Sequence, residues 1–322
     1  MRFAKQSQIK KWVLAEKPEQ TKKLTYFRRN LVLYIMIAFP IVILFIFNYI
    51  PIYGIVIAFK HLIPGAGGFY KGDWVGLIHF ERFIKDNYFW QCFKNTFLLG
   101  LYSILFGFPA PIILALLFNE IKFPRFKKTV QTISYLPNFV SMVAICGIII
   151  NILSPSVGII NKAIEALGLK PVYFMTEVRY FRSIYVISGV WQGAAWGSIL
   201  YTAALSGVNM ELYESAITDG ANRFQKIWHI SIPAIRPTIS IMFILSMPGI
   251  ISANFEKVLL LYNSATMPVA DILPTYIYRM GLMTGNYEFA TAIGLFNSLL
   301  FLAIVFATNR MAGRHEENAT LW

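Results

Sequence analysis

The sequence predicts an all-α integral membrane protein with six transmembrane helices. Of its 322 residues, 57% are hydrophobic and only 14% are charged, whereas about a quarter of the residues of a soluble domain are charged. The apolar residues also form runs that are longer than strands or ordinary core helices. A helix satisfies its own backbone hydrogen bonds without water, so such runs form helices in a bilayer.

The first predicted span covers residues 31–59 and follows a basic segment at 1–30. Its apolar run is longer than that of a signal peptide and no small-residue cleavage site follows, so we expect an uncleaved span. Pro40 and Pro51 should kink or interrupt it. The other spans are predicted at 96–118, 136–153, 184–207, 237–253 and 290–308, with a short surface helix near 162–167 and a polar tail at 311–322.

The basic residues predict the orientation of the chain. Of the 29 Lys and Arg residues, 18 lie in the N-terminal segment, the 119–135 and 208–236 connections and the tail, and 11 lie in the three opposite loops. Positive charge accumulates on the cytoplasmic side of a membrane protein. Both termini are therefore expected in the cytoplasm, and the net charge of +13 orients the chain in a lipid bilayer rather than indicating nucleic acid.

The residues that carry common chemistries do not cluster. Cys92 and Cys146 lie far apart, and the four histidines are scattered, so no metal site is predicted. The glycines at 65–68 lack the order of a phosphate-binding loop and follow no strand. Paired acids or a nucleophile with its base are likewise missing from the spans, which argues against a membrane enzyme. We expect no catalytic residue.

A polar segment at 209–233 separates the fourth and fifth predicted spans. Asn209 is predicted to cap a short helix, and Gly220 to permit a left-handed turn. Beyond the turn, Phe224 and Trp228 begin a second apolar stripe, which Pro233 is expected to end. Two amphipathic helices joined at a glycine favour a docking surface for another protein. An ordinary pair of interfacial helices is the alternative.

The spacing in this segment resembles the EAA motif of binding-protein-dependent ABC importer permeases, in which Glu-Ala-Ala, three residues, Gly, nine residues and Ile-x-Leu-Pro follow one another. The motif positions are occupied by Glu214, Ala216, Gly220, Ile230 and Pro233. Ser215 and Ile232 replace the usual Ala and Leu. We call residues 209–233 the coupling segment. The residues that the resemblance implies in coupling are Glu214, Ala216, Asp219, Gly220, Arg223, Phe224, Ile230 and Pro233.

Other stretches resemble the permeases of that family for oligosaccharides from pectin-like and alginate-like polysaccharides. They are 51–54, 57–60, 108–112, 119–120, 135–139, 153–155 and 219–221. The resemblance covers about residues 30–310 and implies the MetI-like fold of a type I importer permease in a bacterial cytoplasmic membrane. It also implies a second six-helix permease subunit, two ATPase subunits and an extracellular solute-binding lipoprotein. ATP and Mg²⁺ would be bound by the ATPase subunits, with no cofactor in this chain.

Aromatic and amide side chains in and after the fourth and fifth spans are candidate sugar contacts, because aromatic rings stack on sugars and amides bond hydroxyls. They are Trp191, Gln192, Trp196, Tyr201, Asn254, Glu256 and Asn263. Trp and Tyr also form interfacial belts and amides also join helices, so either role is open for each. Nearby charges do not decide whether the substrate is an acidic, uronate-containing oligosaccharide. The basic residues expected near the outer mouth are offset by acids close in sequence; they are Lys257, Arg279, Arg179 and Arg182, with Glu256, Asp271 and Glu177.

Two other transporter classes are alternatives. A secondary transporter usually carries intramembrane charges for ion coupling, and these spans are almost free of them. A permease for another solute would share the coupling motif. The sequence also leaves open whether the two permease subunits are identical, although related non-identical chains are expected.

Overall fold

The computed structural model describes residues 30–62 and 72–312. The basic stretch before residue 30, the glycines at 65–68 and the tail from residue 313 lie outside the described residues. Many of the basic residues on which the predicted orientation depends also lie outside the described residues.

The chain up to Val56 forms a unit of its own. Helix α1 (Leu31–Leu44) contains Pro40 and continues as a π-helical turn, Phe45–Tyr49, and a 3-10 helix, Ile50–Phe59. The interruption predicted near Pro51 thus takes the form of a change in helix type. No residue of α1 is buried, and a helix that is apolar on every side suits a lipid environment.

The second unit begins with a hairpin that the all-α prediction did not include. Strands β1 (Lys60–Leu62) and β2 (Gly72–Trp74) pair antiparallel, with His61 opposite Asp73. The short helix α2 (Ile78–Lys85) follows and buries Phe83. Apart from this hairpin, the regular elements of the described residues are helical.

The second predicted span is longer than expected. It consists of α3 (Asn87–Gly107) and α4 (Pro109–Glu120), which together form a stretch of 34 residues that is long and apolar enough to cross a membrane. Asp86 caps α3 by accepting a hydrogen bond from the Tyr88 amide at 2.9 Å. The helix therefore starts nine residues before the apolar run does.

The third predicted span, 136–153, is not one straight helix. Helix α5 (Pro124–Tyr135) continues as a 3-10 turn, Leu136–Phe139, and the chain then bends by 101° into α6 (Met142–Ile152). The prediction of a span did not include this bend, because hydropathy carries no information about the direction of the chain. Pro137 cannot donate a helical hydrogen bond, and the Ser141 hydroxyl caps a new helix by accepting from the Ala144 amide at 3.3 Å.

Helix α7 (Ile159–Ala166) confirms the predicted surface helix, and α8 (Val178–Ser206) corresponds to the fourth predicted span. Helix α8 has 29 residues, enough to cross a bilayer. However, α8 is not among the helices that are apolar enough, as well as long enough, to cross a membrane. Gly, Ser, Trp and Tyr replace aliphatic residues along it and lower its mean hydropathy.

The coupling segment contains α9 (Met210–Thr218) and α10 (Arg223–Lys226). Pro233 does not end the second helix, contrary to the prediction. A π-helical turn, Ile227–Ser231, leads directly into α11 (Ile232–Ser246) and a final 3-10 turn, Met247–Ile251. Pro233 lies at the start of α11, directly after the π-helical turn, and the chain stays helical through it.

Several short helices precede the last long helix. The short helices are α12 (Phe255–Leu261), α13 (Met267–Ala270) and α14 (Leu273–Tyr278), and a π-helical turn, Arg279–Met283, follows. The last helix, α15 (Tyr287–Ala312), contains the sixth predicted span, 290–308.

Within the described residues, four helical stretches are long and apolar enough to cross a membrane, and the bent pair around residue 140 makes a fifth. They are Leu31–Phe59, Asn87–Glu120, Arg223–Ile251, Tyr287–Arg310 and the pair Pro124–Phe139 with Met142–Ile152. Helix α8 is the remaining predicted span. Several of its polar residues line cavities, which are described below.

Candidate functional site

The first half of the coupling segment is fixed by local hydrogen bonds. The Asn209 carboxamide accepts from the Glu211 amide at 3.0 Å, which confirms the predicted cap. Gly220 has φ of +79°, and the Ala221 amide closes the end of α9 by donating to the Ala216 carbonyl at 2.8 Å. Only glycine takes this backbone conformation at no steric cost, so the predicted turn is also confirmed.

One side of α9 packs against the following helix. The Tyr213 hydroxyl lies 2.9 Å from the hydroxyl of Ser231, which is buried, and Ala216 is half-buried. Ile217, which lies one helical turn after Tyr213, is 58% exposed instead. Glu214 and Asp219 are exposed on the surface of the segment.

The second half of the coupling segment exposes large apolar side chains. Asn222 and Gln225 form a reciprocal capping box at the start of α10. Phe224 is 84% exposed and Trp228 is 69% exposed, so neither side chain is anchored against the helices of the described chain. Exposed aromatic residues beside polar groups are typical of a surface that contacts another protein.

A hollow of about 300 Å³ lies between the two halves. Its lining residues are Ala216, Asp219, Gly220, Ala221, Gln225, Lys226, His229 and Ile230. It brings four of the predicted coupling residues together, whereas Glu214, Arg223, Phe224 and Pro233 lie outside its lining. The lining of the hollow mixes polar, charged and apolar side chains.

A second, polar cavity of about 330 Å³ lies among α3, the 3-10 turn before α6, α8 and α12. Its lining residues are Ser103, Asn138, Met142, Tyr185, Gly189, Gln192, Gly193, Asn254 and Lys257. Two of the predicted sugar contacts, Gln192 and Asn254, are brought together here. They come from elements 62 residues apart in sequence.

Tyr185 connects the walls of the polar cavity. Its hydroxyl accepts from the Asn254 amide at 2.8 Å, and its backbone carbonyl accepts from Lys257 Nζ at 2.8 Å. Asn254 itself caps α12, since its side chain accepts from the Lys257 amide at 2.9 Å. Tyr185 and Lys257 are both buried.

An adjoining cavity of about 400 Å³ shares Ser103, Tyr185 and Asn254 with the polar one. It is more apolar, and Tyr201, another predicted sugar contact, lies in its wall at 3% exposure. The two cavities are thus contiguous along one face of α8. Glycines of α8 line both cavities, and glycines of α3 also line the more apolar one, where they leave room because they carry no side chain.

The other predicted sugar contacts lie elsewhere. Trp191 lines a separate, apolar cavity of about 730 Å³ with Arg182. Trp196 is 46% exposed and packs edge-on against Phe139. Glu256 is exposed, and Asn263 donates to the Met175 carbonyl at 2.6 Å, which is a structural role in a loop.

Sequence reasoning missed Lys257 and Tyr185 as members of the polar cavity. Lys257 was assigned to the outer mouth of the protein together with three arginines, but it is 3% exposed. The spacing of three residues between Asn254 and Lys257, at the start of a helix that follows a predicted span, was the available signal. Among the described residues no three His, Cys, Asp or Glu side chains form a group that could hold a metal ion.

Comparison with known proteins identifies the family. Residues 93–318 match the family described as "Binding-protein-dependent transport system inner membrane component". The chain belongs to this family. Its match begins inside α3 and includes both the coupling segment and the polar cavity.

Two similar proteins of known organism indicate which members of the family the chain resembles. The chain is 39% identical to the protein LplB of Bacillus subtilis (strain 168), over 90% of this chain and 91% of that one. It is 36% identical to the polygalacturonan/rhamnogalacturonan transport system permease protein YteP of the same organism, over 95% of each chain.

Among solved structures, a chain from a bacterial ABC transporter involved in the import of the acidic polysaccharide alginate is 40% identical and superposes with a TM-score of 0.83, covering 92% of this chain and 99% of that one. A second crystal structure, of the bacterial alginate ABC transporter in complex with alginate pentasaccharide-bound periplasmic protein, matches equally well.

These comparisons confirm the predicted fold and class. The chain has the fold of a type I importer permease, and it is an ABC importer permease rather than an enzyme or a secondary transporter. The family is one of inner membrane components.

Proposed function

We propose that this chain imports a polysaccharide-derived oligosaccharide across the cytoplasmic membrane as one of two related permease subunits. A solute-binding lipoprotein delivers the sugar from outside, and two ATPase subunits dock on the coupling segment and bind ATP and Mg²⁺. The termini and the coupling segment face the cytoplasm. The charge distribution of the sequence supports this orientation.

The observation that carries the proposal is the exposure of Phe224 and Trp228 next to the hinge at Gly220. Two large aromatic side chains in water are unfavourable, and each gains about 1.5–3 kcal/mol when an ATPase surface covers it. Tyr213 and Ser231 tie the two halves of the segment together. The continuous helix from Arg223 to Ile251 then transmits motion of this surface to the membrane.

The oligosaccharide assignment is supported by the polar cavity and by the relatives. Gln192, Asn138 and Asn254 offer neutral donors and acceptors for hydroxyl groups beside the Tyr185 ring. YteP is described as a polygalacturonan/rhamnogalacturonan permease, and the matched transporter structures concern alginate. Polygalacturonan consists of galacturonic acid, and alginate is described as an acidic polysaccharide.

The assembled importer, purified from membranes through a tag on this chain, tests the docking surface. Phe224→Ala with Trp228→Ala should reduce the amount of co-purified ATPase and abolish ATP hydrolysis stimulated by the sugar-loaded binding protein. Leu167→Ala is the matched control, because Leu167 is 78% exposed but lies outside the segment. Full ATPase recovery and stimulation in the double variant would contradict the proposal.

The orientation is tested separately by thiol labelling in intact cells. Ser215→Cys is expected to react only after the cytoplasmic side is opened, and Leu167→Cys to react from outside. Both native cysteines are buried and serve as the unlabelled background. Labelling of Ser215→Cys from outside would reverse the proposed topology.

A further inference from the structure

Lys257 is a buried cation without a counter-charge. Its Nζ donates to the Tyr185 carbonyl at 2.8 Å and lies 4.9 Å from the centre of the Tyr185 ring. Within the described ranges, 30–62 and 72–312, no carboxylate forms an ion pair with it. A buried ammonium that lacks an opposite charge costs several kcal/mol of solvation free energy. An anion that enters the cavity would offset that cost.

The Lys257 ammonium has hydrogen-bond donors that no group of the described residues uses. A lysine carries three N–H donors, and one of them is used on the Tyr185 carbonyl. The carbonyl and the ring face attract the cation but carry no full negative charge. The site thus holds the ammonium in position without neutralising it.

The cavity is shaped around this group. Gly189 lies directly against it, since a Cβ at that position would be 3.2 Å from Lys257 Nζ. Gly193 opens the next turn of the same helix face. The other polar side chains that line this cavity, Ser103, Asn138, Gln192 and Asn254, are neutral. One cation among hydroxyl and amide groups matches a carboxylate flanked by hydroxyls.

The space also fits such a unit. The polar cavity of about 330 Å³ lies within the range of about 300–1,000 Å³ found for small-molecule sites. The adjoining, more apolar cavity, which shares Ser103, Tyr185 and Asn254 with it, has about 400 Å³, with Tyr201 in its wall. An oligosaccharide could place its carboxylate beside Lys257 and a neighbouring ring beside Tyr201.

We propose that Lys257 recognises the carboxylate of an acidic sugar in the translocation pathway and thereby selects uronate-containing over neutral oligosaccharides. This inference rests on the proposed function and adds the residue that sets the substrate class. Lys257 also links α12 to α8 through its hydrogen bond to Tyr185, so the test must separate charge recognition from that structural role.

The experiment uses the assembled importer in proteoliposomes with its external binding protein, and measures uptake of trigalacturonate and ATP hydrolysis in parallel. Lys257→Met should lower uptake about tenfold or more, as expected for losing a hydrogen bond to a charged group. Stimulated ATP hydrolysis should persist. Lys257→Arg, which keeps the charge, should retain at least half of the uptake, and Lys162→Met at an exposed position should change nothing.

Gly189→Ala is a second variant that leaves the lysine in place and inserts a methyl group against its ammonium. Gly189→Ala should reduce uptake and leave ATP hydrolysis intact. If Lys257→Met does not assemble, Gly189→Ala tests the proposal in its place. Unchanged uptake in Gly189→Ala would then overturn the proposal.

Three other results would overturn it. They are wild-type uptake in Lys257→Met, equal losses in Lys257→Met and Lys257→Arg, and preference of the wild-type importer for neutral galactotriose over trigalacturonate. A wild-type importer that transports no oligosaccharide would instead refute the proposed function itself.

Discussion

Arg279 donates to the carboxylate of Asp271 at 2.5 Å, and Asp271 is 1% exposed. The Tyr88 hydroxyl also donates to this carboxylate, and Thr275 donates to its other oxygen at 2.6 Å. The pair therefore joins the start of α3 to α14 and the turn that follows it. Every oxygen of the carboxylate is used, which is what a buried charge requires.

Removing one member of this pair should destabilise the protein strongly. Asp271→Ala leaves Arg279 partly buried without its partner, and we expect a loss of about 3 kcal/mol, seen as a lower Tm of the purified chain in detergent. The double variant with Arg279→Met should recover part of the loss, because no charge is then stranded. Glu177→Gln removes an exposed pair with Arg179 and should cost less than about 1 kcal/mol.

Gly100 sits where two backbones touch. A Cβ there would lie 2.1 Å from the Ile250 carbonyl oxygen, and backbone cannot move aside as a side chain can. Gly100→Ala should therefore cost about 3 kcal/mol and reduce the yield of folded protein. Gly294→Ala, with nothing within 4 Å, is the control. Equal Tm values for the two variants would show that the helices do not pack this closely.

The turn at Gly220 should be needed for coupling rather than for folding. Gly220→Val forces a β-branched residue into φ of +79° at a cost of about 1–2 kcal/mol, which should shift the segment and suppress sugar-stimulated ATP hydrolysis. Gly168→Val meets the same strain at φ of +75° outside the coupling segment. Its ATP hydrolysis should stay near the wild-type rate, and similar losses in both variants would contradict a special role for Gly220.

Asn161 organises the loop between α6 and α8. Its carboxamide nitrogen donates to the carbonyls of Leu153, Ser154 and Val172, and its oxygen accepts from the Val172 amide at 2.7 Å. Asn161→Ala leaves these backbone groups without hydrogen-bond partners. Each group that stays buried should lower the free energy of unfolding by about 1–3 kcal/mol.

Limited proteolysis should show faster cleavage within 153–177 in that variant. Asn151→Ala provides the comparison, because Asn151 is exposed and donates only to the Gly147 carbonyl. Cleavage at the same rate in both variants would mean that Asn161 does not hold the loop.

Local features of the coupling segment were predictable because they depend on neighbouring residues. The cap at Asn209 and the turn at Gly220 follow from side-chain and backbone preferences within a few residues. The spacing of the motif also identified the family, which the match over 93–318 confirms. The effect of Pro233 was mispredicted, since the preceding π-helical turn places it at a helix start.

The third span shows why hydropathy was insufficient. Residues 136–153 are apolar throughout most of their length, yet the axis turns by 101° between Phe139 and Met142. Hydropathy sums side-chain transfer free energies and carries no information about direction. The bend brings Asn138 and Met142 to the polar cavity.

The sequence by itself predicted that the chain is helical, spans a membrane and resembles an ABC importer permease, because composition, charge and motif spacing are local properties. Only the tertiary structure decided which polar residues meet. Tyr185 and Lys257 are 72 residues apart, and Tyr88 and Asp271 are 183 apart. Burial turns Lys257 from one of several basic residues into an unneutralised cation in a cavity, and burial is a property of the packed helices.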